Sequence, residues 1–303
     1  MNASLELPDV ASALADDLAI DQVGMAKISL PLQLEIDRQI VQAPATARIT
    51  ANVQNAQKGL HMSRMYQSLK ALSQNILNTQ ALTDCAHSAL KQQQEVCSTE
   101  LNIELEFELL RQRSALHSQQ FGWNRYPIKL TAHYQKDSSV ALELQFTVTY
   151  SSSCPASAAL SRSALKDAFL QAFGEVQEPI DTASVADWLN SYGTLAIPHS
   201  QRSEATINVK LAQDASLPIE TLIDLAEDAL GTPVQTFVKR QDEQQFAINN
   251  GQNPMFVEDA TRRLMLALTQ SGYQGYLRVA HYESLHGHDA IAESQFGHRL
   301  TNV

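Results

Sequence analysis

The chain has 303 residues, 44% of them hydrophobic, which is enough for one large domain or two domains of about 150 residues with a real core. Acidic side chains outnumber basic ones by 33 to 22, the formal net charge is −11, and the Lys and Arg residues form no basic run. Generic binding to nucleic acid backbones needs a positive surface, so no nucleic acid partner is expected.

The sequence shows no segment typical of export or of a membrane span. The N-terminal stretch lacks a basic leader and an apolar core of about seven residues, so it does not resemble a secretion signal. No apolar run approaches the ~18 to 20 residues that cross a bilayer. Cys85, Cys97 and Cys154 are an odd number without a CxxC pair, which fits a reducing compartment. We expect a cytoplasmic protein with no membrane partner.

Two helices are predicted in the first third of the chain. Residues 65–78 place apolar side chains three and four residues apart, and residues 80–96 continue as a second helix after a break at Asn78. His61 and Arg64 lie just ahead of the first helix, in the segment GLHMSR. Phosphate oxygens bind at helix starts of this kind, so both residues are candidates for binding an anionic substrate.

Alternating apolar and polar residues predict half-buried β-strands. The pattern is clearest from Glu100 to Leu109, where every second side chain is apolar. It recurs at residues 140–148, 207–211 and 275–282. Such alternation favours antiparallel pairing, because buried parallel strands are apolar on both faces.

Further helices are predicted at residues 160–174, 183–191, 217–230 and 255–269. Helices and strands in this order indicate an α+β fold. The Ala/Ser-rich stretch with the first two of these helices interrupts the pattern. We expect an N-terminal module, an insertion or connection, and a C-terminal module, at residues 1–155, 156–198 and 199–303.

Three residue types suited to a metal site lie on separate segments. Cys154 follows a predicted strand and precedes Pro155, which ends the strand ladder and lets the thiol project at the sheet edge. A buried structural thiol is an equally good interpretation. His199 and Glu243 lie in polar segments whose simplest interpretation is a solvated surface. Together, a thiol, an imidazole and a carboxylate are the donors of a hydrolytic divalent-metal site.

The last third of the chain adds a carboxylate and two imidazoles. Glu258 lies in the first turn of a predicted helix, where the helix dipole favours it and where it could pair with Arg262. His286 and His288 flank Gly287 and, in an extended chain, point to the same side. The pair suits a ligand or proton-transfer role, and a surface turn is the alternative interpretation.

Basic side chains lie close in sequence to these candidates. Arg202 follows His199, and Lys239 and Arg240 precede Glu243. An acidic chain with a local basic cluster is typical of a protein that takes an anionic small substrate.

Six separated segments, GLHMSR, SCP, HSQRS, VKRQDE, MFVEDATRR and ESLHGHDA, resemble the type IB GTP cyclohydrolase family. The resemblance covers nearly the whole chain. It implies the tunnelling fold, in which two modules of antiparallel sheet backed by helices assemble as a homotetramer or other homo-oligomer around a central tunnel. It also implies conversion of GTP and water to 7,8-dihydroneopterin triphosphate and formate, the first step of folate biosynthesis.

The resemblance further implies roles for single residues. Cys154, His199 and Glu243 match the family's metal-binding positions, and Cys154 is also a catalytic candidate. The metal would be a divalent ion, namely zinc, manganese or iron.

Substrate recognition and proton transfer are implied in the same way. Glu258 matches the carboxylate that holds the guanine edge. His286 and His288 match the catalytic and metal-proximal imidazoles, and His288 is the better match for both roles.

The chain departs from the family pattern after Cys154. Ala156 and Ala158 stand where the family commonly has Cys and Lys, and His199 lies 45 positions beyond Cys154. Two alternatives therefore stay open: a tunnelling-fold enzyme acting on a related pterin or deazapurine, and a non-catalytic nucleotide-binding homologue.

Overall fold

The computed structural model describes residues 18–54, 59–93, 97–174, 179–213 and 216–297. Within these residues the strands are β1 (Ile20–Ile36), β2 (Gln39–Val53), β3 (Glu100–Ser114), β4 (Phe121–Gln135), β5 (Ala141–Ser153), β6 (Ser200–Leu211), β7 (Gly275–His281) and β8 (Ala290–Phe296). The helices are α1 (Met62–Leu72), α2 (Thr79–Lys91), α3 (Pro155–Phe173), α4 (Thr182–Tyr192), α5 (Ile219–Leu230), α6 (Arg240–Gln252) and α7 (Val257–Gln270).

The eight strands follow one another in chain order within one sheet. Pairing is antiparallel between β1 and β2, β2 and β3, β4 and β5, and β7 and β8. Along β3 the alternate residues Leu101, Ile103 and Leu105 are fully buried, as the period of two predicts. The α+β class and the four alternating segments are confirmed.

The ends of two helices lie where local chemistry predicts them. Asn78 caps α2, because its side-chain oxygen accepts the N–H of Ala81 at 2.8 Å. Helix α5 ends at Leu230, and Gly231 takes a φ of +77°, a conformation that favours glycine.

Strands β1, β2, β4 and β8 and helix α6 were not predicted, because their patterns are weak. Strand β2 buries small side chains such as Ala47 and Ala51, which give little hydrophobic contrast. Gly122 and Asn124 take buried positions on β4 and hide its alternation. Asp242 is the buried residue of α6, so this helix has no apolar stripe to detect.

The described residues divide into two compact units. The first falls within Met1–Leu109, Arg125–Phe146 and Asn208–Glu220, and the second within Leu110–Asn124, Thr147–Ile207 and Thr221–Val303. Each unit combines three chain segments, whereas the predicted modules at 1–155 and 199–303 and the connection at 156–198 are continuous stretches, and that division stays a prediction. In the part of the chain that is described, no helix is long and apolar enough to span a membrane.

Candidate active site

Cys154 forms the junction between β5 and α3. Strand β5 ends at Ser153 because Pro155 has no N–H to continue the ladder and instead starts the helix. The Cys154 sulfur lies 3.5 Å from the N–H of Ser157, at the N-terminus of α3. Cys154 is half-buried, so its sulfur is partly accessible at this junction.

His199 lies against Cys154 although 45 positions separate them in the chain. The backbone N–H of Cys154 donates to the His199 carbonyl at 3.2 Å, and the His199 N–H donates to the Ser157 hydroxyl at 3.2 Å. Helices α3 and α4 lie in the intervening chain, whose two ends are close together. The entropic cost of closing a loop grows only slowly with its length, so an insertion of this length adds little to it.

Glu283 joins this pair and was not singled out in the sequence. Its Oε2 lies 3.6 Å from the Nδ1 of His199, within ion-pair distance, and its side chain is only 13% exposed. Glu283 lies in the same ESLHGHDA segment as the two histidines, so the motif itself carried the signal. Glu283 therefore lies beside the His199 side chain, and the His199 backbone contacts Cys154 and Ser157 at the start of α3.

An open cavity of about 430 Å³ lies in the second unit. Its polar lining includes Arg202 and Glu243, two of the predicted site residues, together with Tyr150, Gln201 and Gln235. This volume is in the range of small-molecule sites. The cavity places a cationic and an anionic side chain on one surface.

The start of α6 is anchored by a buried carboxylate next to Glu243. Asp242 accepts the backbone N–H groups of His117, Ser118 and Lys239 at 2.7 to 2.8 Å and the Ser118 hydroxyl at 2.5 Å. Burial would raise the pKa of Asp242, but the hydrogen bonds from Ser118, Lys239 and His117 outweigh it and hold this pKa well below its usual range. Glu243, Lys239 and Arg240 are exposed around this anchored helix start.

Glu258 lies in the first turn of α7 and is exposed. The expected pairing with Arg262 is wrong: Arg262 donates to Asp259 at 3.2 Å, because that carboxylate is three residues away on the helix face.

The buried His281 interacts electrostatically with Glu258. Burial lowers the pKa of His281 to about 4, and Glu258 opposes this shift. Tyr150 Oη lies 2.8 Å from His281 Nε2.

His286 and His288 lie in the exposed connection between β7 and β8. Their rings stack with centroids 5.0 Å apart and planes 15° apart. The expectation that both imidazoles face the same side is confirmed. The connection is an irregular loop rather than an extended strand.

Comparison with known proteins identifies the family. A profile described as type I GTP cyclohydrolase folE2 matches residues 7–292. The chain belongs to this family. The GTP cyclohydrolase FolE2 of Serratia proteamaculans is 42% identical over 292 residues, which cover 95% of this chain and 93% of that protein. The GTP cyclohydrolase FolE2 2 of Burkholderia orbicola is 42% identical over 297 residues, 96% of this chain and 93% of its relative.

Solved structures show the fold of this FolE2 family member. The uricase of Arthrobacter globiformis superimposes with a TM-score of 0.53 at 7% sequence identity, over 98% of each chain. At such low identity, the structural similarity supports an inference about the fold only. The predicted tunnelling fold is thereby confirmed.

Two predicted substrate-binding residues of this family member lie in the first unit. His61 precedes α1, and its N–H donates to the Gln93 side chain at 2.9 Å. Arg64 lies in the first turn of α1 and donates to the Gln92 carbonyl at 3.4 Å. Both contacts hold the start of α1 against the end of α2.

The donors of a metal site are only partly assembled. Among the described residues, no group of three or more His, Cys, Asp and Glu side chains is arranged to hold a metal ion. Cys154, His199 and Glu283 nevertheless supply the soft and hard donors that divalent metals take in this kind of site. Of the other predicted ligands, Glu243 lines the cavity and His288 lies on the exposed β7–β8 loop.

Proposed function

We propose that this protein is a metal-dependent GTP cyclohydrolase that converts GTP and water to 7,8-dihydroneopterin triphosphate and formate. The family match over residues 7–292 is the observation that carries the proposal. The backbone hydrogen bond between Cys154 and His199 supports it, since it holds two candidate metal-binding residues from distant segments at one junction. Opening of the guanine imidazole ring and loss of its C8 as formate require an activated water molecule, and a metal ion held by such donors would activate it.

Metal binding is assigned to Cys154, His199 and an acidic partner. Glu243 is the predicted carboxylate, and Glu283 is the carboxylate that lies beside His199. A divalent ion held by these donors supplies Lewis-acid activation of water and substrate when it is bound. Zinc, manganese and iron all fit a mixed thiolate, imidazole and carboxylate set.

Recognition of GTP is assigned to charge and hydrogen bonding. Glu258 would accept hydrogen bonds from guanine N1–H and the 2-amino group, which adenine does not offer in the same pattern. Arg202, Lys239 and Arg240 attract the triphosphate in an otherwise acidic protein. His61 and Arg64, at the start of α1, are further phosphate-binding candidates.

Proton transfer is assigned to the stacked imidazoles. His286 and His288 are exposed, and imidazole is the side chain that most often acts as general acid and base in enzymes. His288 is preferred as the catalytic member and as the metal-proximal one. His281 is an unsuitable proton donor at pH 7, because burial keeps its imidazole neutral.

One assay tests the proposed function. The protein is stripped of metal, reloaded with zinc, manganese or iron one at a time, and given GTP while formate and an oxidisable, fluorescent pterin are measured. We expect both products in equal amounts with at least one metal. Binding of GTP without either product would favour a non-catalytic nucleotide-binding homologue. Turnover of a pterin or deazapurine in place of GTP would favour the other alternative.

A further inference from the structure

We infer that Gln201 is a positioning residue that fixes the tautomer of His199 through a buried chain of hydrogen bonds. The chain starts at His199 Nδ1, which lies 3.1 Å from Gln201 Oε1. The amide nitrogen of Gln201 donates to Ser152 Oγ at 2.9 Å. Ser152 Oγ lies 2.9 Å from Ser203 Oγ.

A second buried polar pair lies in the same unit, where Tyr150 Oη is 2.8 Å from His281 Nε2. Behind His199 the chain is mostly buried: Ser152 and Ser203 are 0% exposed and Gln201 is 7% exposed. The two serine hydroxyls have no access to water, so their donors and acceptors must be matched within the protein.

The chemistry of the amide sets the direction of these bonds. An amide nitrogen only donates and an amide oxygen only accepts. With the nitrogen of Gln201 on Ser152, its oxygen faces His199 Nδ1, which must then carry the hydrogen. The Glu283 carboxylate, 3.6 Å from the same Nδ1, also favours a hydrogen at that atom. The reverse amide orientation would put a donor against Nδ1 and would require a lone pair at that atom, next to the Glu283 carboxylate.

The two serines can follow the same sense. Ser152 receives the Gln201 hydrogen and donates to Ser203. Both buried hydroxyls then take part in a hydrogen bond, as buried polar networks require.

The position of this hydrogen determines which ring nitrogen of His199 keeps a lone pair. With the hydrogen at Nδ1, the lone pair is at Nε2, the atom that remains available to a metal ion. The use of this lone pair for metal binding rests on the proposed function, whereas the tautomer itself does not. Gln201 thus acts through His199 and needs no contact with substrate.

Nuclear magnetic resonance of the full chain tests the tautomer directly. The imidazole nitrogens of metal-free, ¹⁵N-labelled protein are observed through their two-bond couplings to ring protons, and His199 is assigned with His199→Gln. We expect the wild type to carry the hydrogen at Nδ1. A hydrogen at Nε2 in the wild type overturns the inference without any variant having to fold.

Variants separate the network from general packing. Gln201→Leu removes the acceptor, and we expect His199 to shift towards the Nε2–H form or a mixture. Thr206→Val is the matched control, because Thr206 and Thr147 form a hydroxyl pair at 3.1 Å between the same strands, β6 and β5, outside the chain. The control should keep the wild-type tautomer. The same tautomer in Gln201→Leu as in the wild type would also overturn the inference.

A metal titration tests the positioning role. Binding of Co²⁺, followed by its visible absorption, should weaken by about 10- to 100-fold in Gln201→Leu and stay unchanged in Thr206→Val. Equal Co²⁺ affinity in the wild type and Gln201→Leu would refute the positioning role. If the wild type binds no Co²⁺ yet carries the Nδ1 hydrogen, the proposed metal set fails while the tautomer assignment stands.

Discussion

At the scale of single residues, two cysteines of this chain have opposite environments. Burial raises the pKa of Cys85 to about 12, so this thiol stays protonated inside the first unit. Cys154 is half-buried and lies at a helix N-terminus beside His199. A buried thiol is shielded from a metal ion in solution, so Cys154 is better suited to metal binding than Cys85.

Cys154→Ala should abolish both metal retention and turnover, because the thiolate donor is lost. We expect a loss larger than the about 10- to 100-fold that removal of an outer-shell partner costs. Metal content after gel filtration and formate release from GTP are the measurements. The matched control is Cys85→Ala, which should lower stability by about 1 kcal/mol through the cavity it leaves, with metal content unchanged. Full metal content in Cys154→Ala would contradict the assignment.

Glu258→Gln should weaken recognition of guanine and leave the fold intact. Hydrogen bonds to a charged group are worth about 1.5 to 3 kcal/mol, so KM for GTP should rise by about 10- to 100-fold. Steady-state kinetics with GTP measures the change. Asp259→Asn is the control, because Asp259 accepts the Phe256 N–H at 3.1 Å and serves the start of α7. It should affect thermal stability more than KM, and an unchanged KM in Glu258→Gln would refute the guanine role.

At the scale of elements, α6 is held by its first turn rather than by an apolar face. Asp242 joins this turn to the connection between β3 and β4 at His117 and Ser118. The next residue is Glu243, so the position of a cavity-lining carboxylate depends on a buried hydrogen-bond cluster. A fixed support behind a functional side chain is a common way to preorganise a site.

Asp242→Asn should destabilise the protein at neutral pH and less so in acid. The folded-state pKa of Asp242 is depressed, so its contribution is fully present above the unfolded-state pKa of about 3.9 and is lost as the pH falls towards the folded-state pKa. Urea unfolding of the wild type and the variant at pH 7, 5 and 3.5 measures the difference. That difference should be largest at pH 7 and 5 and begin to shrink at pH 3.5.

Asp181→Asn is the matched control for this pH series. Asp181 also accepts an N–H at a helix start, that of Ser184 at 3.1 Å, but it is exposed at α4. Water can replace most of the hydrogen bonds that an exposed cap makes, so Asp181→Asn should destabilise the protein less than Asp242→Asn at every pH. An Asp242 effect no larger than the Asp181 effect would remove the argument for a buried anchor.

At the scale of the whole molecule, the order of strands leaves β1 and β8 at the two ends of the sheet. Strand β1 runs for 17 residues, and a long edge strand offers unpaired backbone groups to another chain. Assembly of several subunits, which the family resemblance implies, would cover such edges.

Light scattering after size-exclusion chromatography should therefore report a homotetramer or other homo-oligomer. The measurement is made across a range of protein concentrations, with GTP turnover followed in parallel. A monomer that retains full turnover at every concentration would contradict the proposed assembly.

Local patterns account for the parts of the fold and site that were predictable. The period-two alternation of β3 and the Asn78 cap of α2 depend on neighbouring residues, so they can be identified without the fold. Helix α6 was missed because its stability comes from a contact between Asp242 and Ser118, 124 positions apart.

The sequence by itself determined the family, the α+β class and most of the candidate donors, because motifs and periodicity are encoded in short segments. Only the tertiary structure decided that Glu283 lies beside His199 and that Gln201 connects His199 to a buried hydroxyl chain. Those contacts join β5, β6 and the end of β7. His199 and Glu283 are 84 positions apart, and side-chain contacts at such separations exist only once the strands have paired.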